Sequence, residues 1–373
     1  MKTPILIEGA GIAGLTLANA LEQQGIDYLI LEKEPSLHAI GAGIAVQANG
    51  LAILKALGMD ADLPGIKLQQ MCLQGRGFRQ VLNGDDAWPT RMMTRAALQQ
   101  LLLTPVAHRV VAKAEVAHAD VHTQGIALTL KDGRHYEAAL SVQASGIHRL
   151  GNEPSELRDS GQWCWRALIP GPVRPEPAGQ EWWLGRHRLG LSPVDEGLYY
   201  IYHVMSQAGP EQDSQRQAFL QQSPVAQVLT AENMASAQWL SHPLKDKPIH
   251  WGQPRRIAIG DCAHALTPNM GQGAVLGMED AYLLAMLLGQ NLDRLGQPAL
   301  WQDFVKRRHT RVARIRQQSW YFGQVAHWQN PWVTTLRDRL MAIAPGKRMI
   351  RQQQKWLAQF CRQMQPLGHT ASQ

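Results

Sequence analysis

Residues 4–33 read PILIEGAGIAGLTLANALEQQGIDYLILEK. Residues 5–8 form a short apolar run suited to a buried parallel strand, and Gly9, Gly11 and Gly14 follow in G-x-G-x-x-G spacing. Gly9 permits a tight turn, Gly11 lets a pyrophosphate approach the backbone, and Gly14 lets the next helix pack close to the strand. Leu15, Leu17, Ala18 and Leu21 supply the buried face of that helix, which ends at Gly25. Residues 27–31 are the second strand, and Glu32 closes it 18 residues after Gly14. A carboxylate there accepts hydrogen bonds from ribose hydroxyls and repels a 2′-phosphate. Strand, turn, helix, strand and acid in register predict a Rossmann-like α/β domain that binds a dinucleotide. Ile12 and Ala13 at the helix head and Lys33 beside the acid complete this half of the expected site. The motif alone fits FAD and NAD equally.

A second segment, about 230 residues further on, decides between them. Residues 260–280 read GDCAHALTPNMGQGAVLGMED. Residues 256–259 are a buried strand, which puts Asp261 at its carboxyl end, where open α/β sheets bind ligands and where ribityl hydroxyls could donate to it. Residues 268–273 form a tight loop opening onto an apolar helix over 274–288. Its first N–H groups and positive dipole end face whatever the loop holds. An isoalloxazine that turns anionic at N1/C2=O on reduction suits that place. Pro268, Gly271, Gln272, Gly273 and Ala274 are therefore expected at FAD, with His264 a structural member of the loop.

These two motifs, with Glu279-Asp280, resemble the class A flavoprotein aromatic monooxygenases, the p-hydroxybenzoate and salicylate hydroxylase type. Further matches are IGAGIAVQANGLAILKALGM at 40–59, Arg95 at the head of a helix, and SGQWCWRALIP at 160–170. The likeness extends over most of the chain. Within the family, CWR at 164–166 and RQQSWYFGQVAHWQNPW at 316–332 are similar to the branch that hydroxylates 2-alkyl-4-quinolones at C3. The resemblance implies a three-layer FAD-binding domain with an inserted antiparallel-sheet substrate domain and a C-terminal helical segment. It also implies reduction of FAD by NADPH or NADH, capture of O2 as a flavin C4a-hydroperoxide, and hydroxylation of a small, electron-rich aromatic or heteroaromatic ring. Gly43 and Arg95 join the FAD-binding set on this basis.

One departure concerns the middle of the chain. The family carries Ala-Asp-Gly followed by Ser and Arg there, touching both FAD and the nicotinamide cofactor. The matching run here is QASGIHRLGN, with Ser145 in place of Asp and Arg149 in place of Ser. Ser145 caps a turn or donates a hydrogen bond but brings no charge. One alternative to direct NAD(P)H oxidation follows, reduced flavin arriving from a separate reductase; a reading of another class is a flavin-binding protein without turnover.

At 373 residues and 45% hydrophobic, the chain can bury a large core and build two or three domains. It has no apolar run of about 18 residues. The N-terminal strand and glycine turn replace a secretory leader, so a cytoplasmic location is expected. Cys72, Cys164, Cys262 and Cys361 are scattered without C-x-x-C, which predicts reduced thiols and no metal site. The net charge of +7 is concentrated in residues 306–316 and 337–351, which are helical in pattern. The expected reading is a solvated helix face, with peripheral membrane contact through the basic C-terminal helices as the alternative. Aromatic platforms interleaved with those charges are lacking, so nucleic acid is not an expected partner. The expected partners are O2 and the aromatic substrate, with the protein a monomer or homodimer.

The expected organisation is FAD-binding segments at 1–68, 91–160 and 249–330, substrate-sheet segments at 69–90 and 161–248, and C-terminal helices over 331–373. Thr94 is an N-cap for a helix over 94–103, and Arg95 in its first turn reaches the flavin or pyrophosphate. Strands are expected at 110–121, 126–130, 162–170, 181–184, 188–192, 198–204 and 237–240. Helices are expected at 49–57 and 215–222 and from Pro298 onward, broken at Pro331 and Pro345.

In such an enzyme the protein positions the ring and excludes water. Substrate candidates are Gln47, on the loop passing the isoalloxazine, with Asn49 beside it. Pro268 and Met270 belong to the flavin loop, and Tyr200 and Tyr202 to a sheet strand. Alternation puts Tyr200 and Tyr202 on one face and His203 on the other. His203 is the one candidate acid or base, though a hydrogen-bonded structural histidine fits it as well. Trp163, Trp165, Trp182 and Trp183 are read as sheet-core residues, and Trp320, Tyr321, Trp328 and Trp332 as helix packing.

Overall fold

The computed structural model describes residues 2–37, 42–83, 90–147, 157–173, 176–207 and 209–363. Strand Lys2–Glu8 lies between His135–Gln143 and Tyr28–Leu31, both parallel to it. Val110–Val111 and Arg256–Ala258 extend the parallel core on either side. Ile5, Leu6 and Ile7 are fully buried because both faces of this sheet are covered. Helices Ile12–Glu22 and Gly273–Gln290 pack on one face, in the cluster containing Ile5 and Ile7. The antiparallel strands Val116–His122 and Gly125–Leu130 lie on the other, where Leu6 meets Ile126 and Leu128. The result is the three-layer α/β domain.

A seven-stranded sheet forms the second unit, in the order Leu240–Asp246, Arg158–Pro170, Leu198–Ser206, His187–Asp195, Ala178–Leu184, Gln70–Gln74, Arg79–Asn83. It is not antiparallel throughout: Gln70–Gln74 enters from the N-terminal domain and pairs in parallel with Ala178–Leu184. Its longest strand opens at Arg158, slightly before the expected boundary. The strand expected at 237–240 begins only at Leu240. Thr230 instead caps helix Ala231–Ser236, its hydroxyl accepting from Asn233 N at 3.2 Å, and Ala237 closes that helix.

A third, small sheet was not foreseen. Gly43–Val46, Thr90–Thr94 and Ile66–Leu68 pair antiparallel and lie between the two larger sheets. Strands of three to five residues are too short for alternation to mark them. Thr94 caps helix Arg95–Leu103 as expected, accepting from Ala97 N at 3.0 Å. Helices Pro298–Ala326, Pro331–Ile343 and Gly346–Gln363 complete the chain.

The solvated-face reading of residues 306–316 needs correction. Arg308 is fully buried, bridging Glu279 and Asp280 at 2.7 Å each, and Arg311 pairs with Glu279 at 2.6 Å. Part of the positive charge is thus neutralised inside the protein.

Candidate active site

The carboxyl ends of the parallel strands bring the distant motifs together. Gly9 has φ +113°, and its N–H donates to Leu31 O at 2.8 Å. A methyl group at Gly14 would lie 2.1 Å from Gly9 O, so only glycine allows this helix-to-strand approach. Gly11 differs: an added methyl would find only Ala144 O, at 3.9 Å. Its side is open, and it caps helix Ile12–Glu22 with no side-chain hydrogen bond. Open backbone at an uncapped helix start is what a pyrophosphate requires. Glu32 is fixed by the turn, Oε2 accepting from Ala10 N at 2.7 Å and Oε1 from Glu34 N at 2.9 Å. Lys33 is exposed and pairs with Glu34 at 3.6 Å.

The second motif docks onto the first through Ala13. Methyl groups at Gly260 or Gly277 would each lie 3.1 Å from Ala13 Cβ, so small residues on both segments let the two helices close. Gly260 has φ +59° and donates its N–H to Asp280 Oδ2 at 2.9 Å. Asp261 follows, exposed, at the start of a short helix. A methyl group at Gly273 would stand 3.8 Å from Asp261 Oδ1, so the acid lies beside the head of helix Gly273–Gln290. That helix too has no side-chain cap. The preceding turn, Pro268–Met270, ends on Gly271 at φ +63° and is held by Gln47, whose Nε2 donates to Met270 O at 2.8 Å.

Behind this turn lies a buried polar network. His264 Nε2 is 2.5 Å from Asp280 Oδ2, and Asn49 Nδ2 donates to Gln272 Oε1 at 3.0 Å and Glu279 Oε1 at 2.6 Å. Burial pushes the Glu279 carboxyl up, but Arg308, Arg311 and Asn49 outweigh it and hold it below its usual range. Gln272 is fully buried here, so its side chain holds the loop from behind. Ala274, by contrast, is only half-buried at the helix head.

Ser145 stands between the motifs. Its hydroxyl donates to Cys262 Sγ at 3.8 Å, and its Cα would be 3.2 Å from a methyl group at Gly9. Arg149 lies outside the described residues. Arg95 is exposed and lies within electrostatic reach of Asp261 and Arg166. The glycine cradle at Gly9 and Gly11, the two uncapped helix heads and Glu32 fit a dinucleotide whose far end is held by the turn at Pro268–Met270.

The substrate sheet turns one face toward this turn. Arg166 pairs across from Tyr202, and Leu168 from Tyr200. Gly43, expected at FAD, packs on this face: a methyl group there would collide with the Tyr200 ring at 2.5 Å. Tyr202 donates its hydroxyl to Glu181, and its ring covers Gly190. Burial first, and the charges of Glu181 second, keep that phenol protonated. Arg188 on the same face is 2% exposed and donates from Nη2 to Asn269 Oδ1 at 2.6 Å, joining the sheet to the Pro268–Met270 turn. Among the described residues its Nε and Nη1 have no hydrogen-bond partner.

His203 lies on the opposite face, as alternation requires, fully buried among Trp165, His187 and Phe219. Its Nε2 is 3.0 Å from His187 Nδ1, and burial holds the imidazole well below its ordinary pKa. The sheet therefore separates His203 from Tyr202 and from the Arg188–Asn269 pair. Trp183 is in the core as expected, buried on the Tyr202 face with Leu73, Phe78 and Ala326, its Nε1 donating to Glu181 at 2.7 Å. Sequence reasoning missed Arg188, Asn269 and Arg166. A lone arginine in the apolar strand HRLGLSPVD was a usable signal for Arg188. Asn269 carried none.

The chain matches the model of the FAD binding domain family over residues 2–148 and 181–319, more than half its length. It is 29% identical to the 2-heptyl-3-hydroxy-4(1H)-quinolone synthase of Pseudomonas aeruginosa strain PAO1, covering 92% of this chain and 94% of that one. It is 30% identical to the aurachin C monooxygenase/isomerase of Stigmatella aurantiaca, covering 94% and 97%. In fold it is similar to Klebsiella pneumoniae HpxO, solved with FAD and uric acid, at a TM-score of 0.82, 22% identity and 96% coverage of both chains. Motifs, geometry and kinship agree, and the chain belongs to the FAD binding domain family, among the FAD-dependent aromatic monooxygenases.

Proposed function

We propose that this monooxygenase hydroxylates a 2-alkyl-4-quinolone-like heteroaromatic with NAD(P)H as reductant. Arg188 carries the reading: a buried guanidinium beside the flavin turn, with two donors that no described residue accepts, suits a ring oxygen such as a 4-oxo group. The Pseudomonas aeruginosa relative, a quinolone synthase by name, supports the same substrate class. FAD, when bound, supplies the reduced ring at which O2 is activated. The residues that would hold it are Gly9, Gly11, Ile12, Ala13, Gly14, Glu32, Arg95, Asp261, Pro268, Gly271, Gly273 and Ala274. Arg188 orients the substrate, Tyr200 and Tyr202 wall the ring, and Gln47 with Met270 shapes the turn against it. One atom of O2 enters the ring as hydroxyl and the other leaves as water, with two electrons from NAD(P)H. Purified FAD-loaded protein should consume NADPH or NADH faster with 2-heptyl-4-quinolone and yield a product heavier by one oxygen atom, labelled from 18O2. Hydroxylation of other aromatics but no quinolone would overturn the substrate class.

Ser145 supports a second reading, in which a separate reductase delivers reduced flavin. Anaerobic mixing with NADPH, then NADH, separates the two: flavin bleaching by either removes the reductase. O2 uptake dependent on substrate after chemical reduction would eliminate a flavin protein without turnover.

A further inference from the structure

Helix Pro331–Ile343 is amphipathic in the reverse of the usual sense. Trp332 is 85% exposed, Leu336 59%, Leu340 55% and Ile343 80%. At about 100° per residue these four fall in one stripe. The polar pair Arg337 and Asp338 faces inward instead, 5% and 6% exposed and joined at 2.7 Å. The orientation is pinned from several sides. Asn330 Oδ1 caps the helix at Trp332 N and Val333 N, Arg337 donates to Val325 O and Ala326 O, and Gln80 Nε2 donates to Met341 O at 2.6 Å. The helix-packing reading of Tyr321, Trp328 and Trp332 needs correction, since they are 58%, 41% and 85% exposed. Single exposed apolar residues are ordinary, but four on one helical stripe, led by a tryptophan, mark a docking face.

Charge identifies the occupant. From Arg339 to the end, the sequence carries Lys347, Arg348, Arg351, Lys355 and Arg362 and no acidic residue. Arg339, within the helix itself, and Arg348 are exposed. At helical spacing Arg339 falls within the ridge itself, so two copies meeting ridge to ridge would bring like charges together, whereas an anionic lipid surface satisfies both the ridge and its cation. Among the described residues no helix is long and apolar enough to cross a membrane, so the contact is with a surface.

We propose that helix Pro331–Ile343 docks the enzyme onto an anionic lipid surface, Trp332, Leu336, Leu340 and Ile343 entering the interface. Arg337, which pins the helix, also sits over the Trp183 ring at 5.2 Å. Trp183 shares Glu181 with Tyr202, so docking places lipid close to the substrate sheet. The docking does not depend on which substrate that sheet takes.

The test is co-sedimentation of the FAD-loaded full chain with phosphatidylcholine vesicles, with and without about 30% phosphatidylglycerol. The protein should pellet with the anionic vesicles and be released at about 0.5 M NaCl. A Trp332→Ser/Leu336→Ser/Ile343→Ser variant should partition at least about tenfold less, at unchanged FAD content and melting temperature. No pelleting with anionic vesicles, or equal pelleting of the variant, overturns the proposal. So does a dimer, seen by light scattering, that dissociates in the variant, because the ridge would then belong to a second copy.

Discussion

Arg188 Nη2 donates to Asn269 Oδ1 at 2.6 Å, tying the substrate sheet to the turn that precedes helix Gly273–Gln290. Two long-range units that could slide against one another are thereby registered at one charged hydrogen bond. Arg188→Met keeps most of the stem and removes the donors. It should lower kcat/KM by at least about tenfold while the protein still purifies with FAD, since no glycine of the cradle is altered. Arg188→Lys keeps the charge but not the fork, and should recover only part of the loss. Steady-state NAD(P)H oxidation, with product quantified in parallel, measures both; unaltered kinetics in Arg188→Met would remove Arg188 from the site.

Gly11→Val should yield colourless protein. A Cβ at position 11 meets nothing closer than Ala144 O at 3.9 Å, so the fold leaves room at this backbone, whereas a pyrophosphate approaching the helix head would meet the added side chain. Circular dichroism should therefore remain native while the absorbance band near about 450 nm, a property of oxidised flavin, disappears. A full flavin band would show that the phosphates lie elsewhere.

The cofactor half of this site was legible because each of its residues answers to a local backbone demand. Gly9 needs φ above zero, Gly14 needs no side chain, and Glu32 must end a strand; these are properties of spacing. The three-layer domain follows from the same register. The substrate half depends on which strands meet across the sheet. His203 and Tyr202 are neighbours in sequence yet separated by the sheet, while Arg188 reaches Asn269 over 81 positions. Alternation assigned the faces correctly but not which one the Pro268–Met270 turn would meet. Charge counting failed for a related reason: Arg308 and Arg311 look solvated on a basic helix until helix Gly273–Gln290 supplies Glu279 and Asp280.

Removing Arg308 should be expensive. It is fully buried, and Arg308→Met leaves Asp280 without its guanidinium partner and Glu279 with Arg311 alone. Breaking a buried ion pair by deleting one partner costs about 3–5 kcal/mol, readable as a lower urea midpoint at constant m-value. Because Asp280 also accepts the Gly260 N–H, flavin content should fall as well. A variant of wild-type stability would mean that the two acids take up protons at no appreciable cost.

Three histidines packed against the substrate sheet, His187, His203 and His327, set an acid limit on stability. Burial lowers His187 to about 4 and His327 to about 3, with Arg186 and Arg188 respectively adding to the effect, and His203 is depressed in the same direction. Unfolded, each titrates near its ordinary value of about 6.5. The unfolded state therefore binds more protons below that pH, so stability is present above about 6.5 and is lost as pH falls toward 4. Each such imidazole steepens the loss by up to about 1.4 kcal/mol per pH unit. His187→Gln removes one of them at a half-buried position, where the amide still reaches His203. Urea denaturation at several pH values between 7.5 and 5 should give a shallower dependence for this variant than for the wild type. Parallel curves would show that His187 takes up its proton equally in both states.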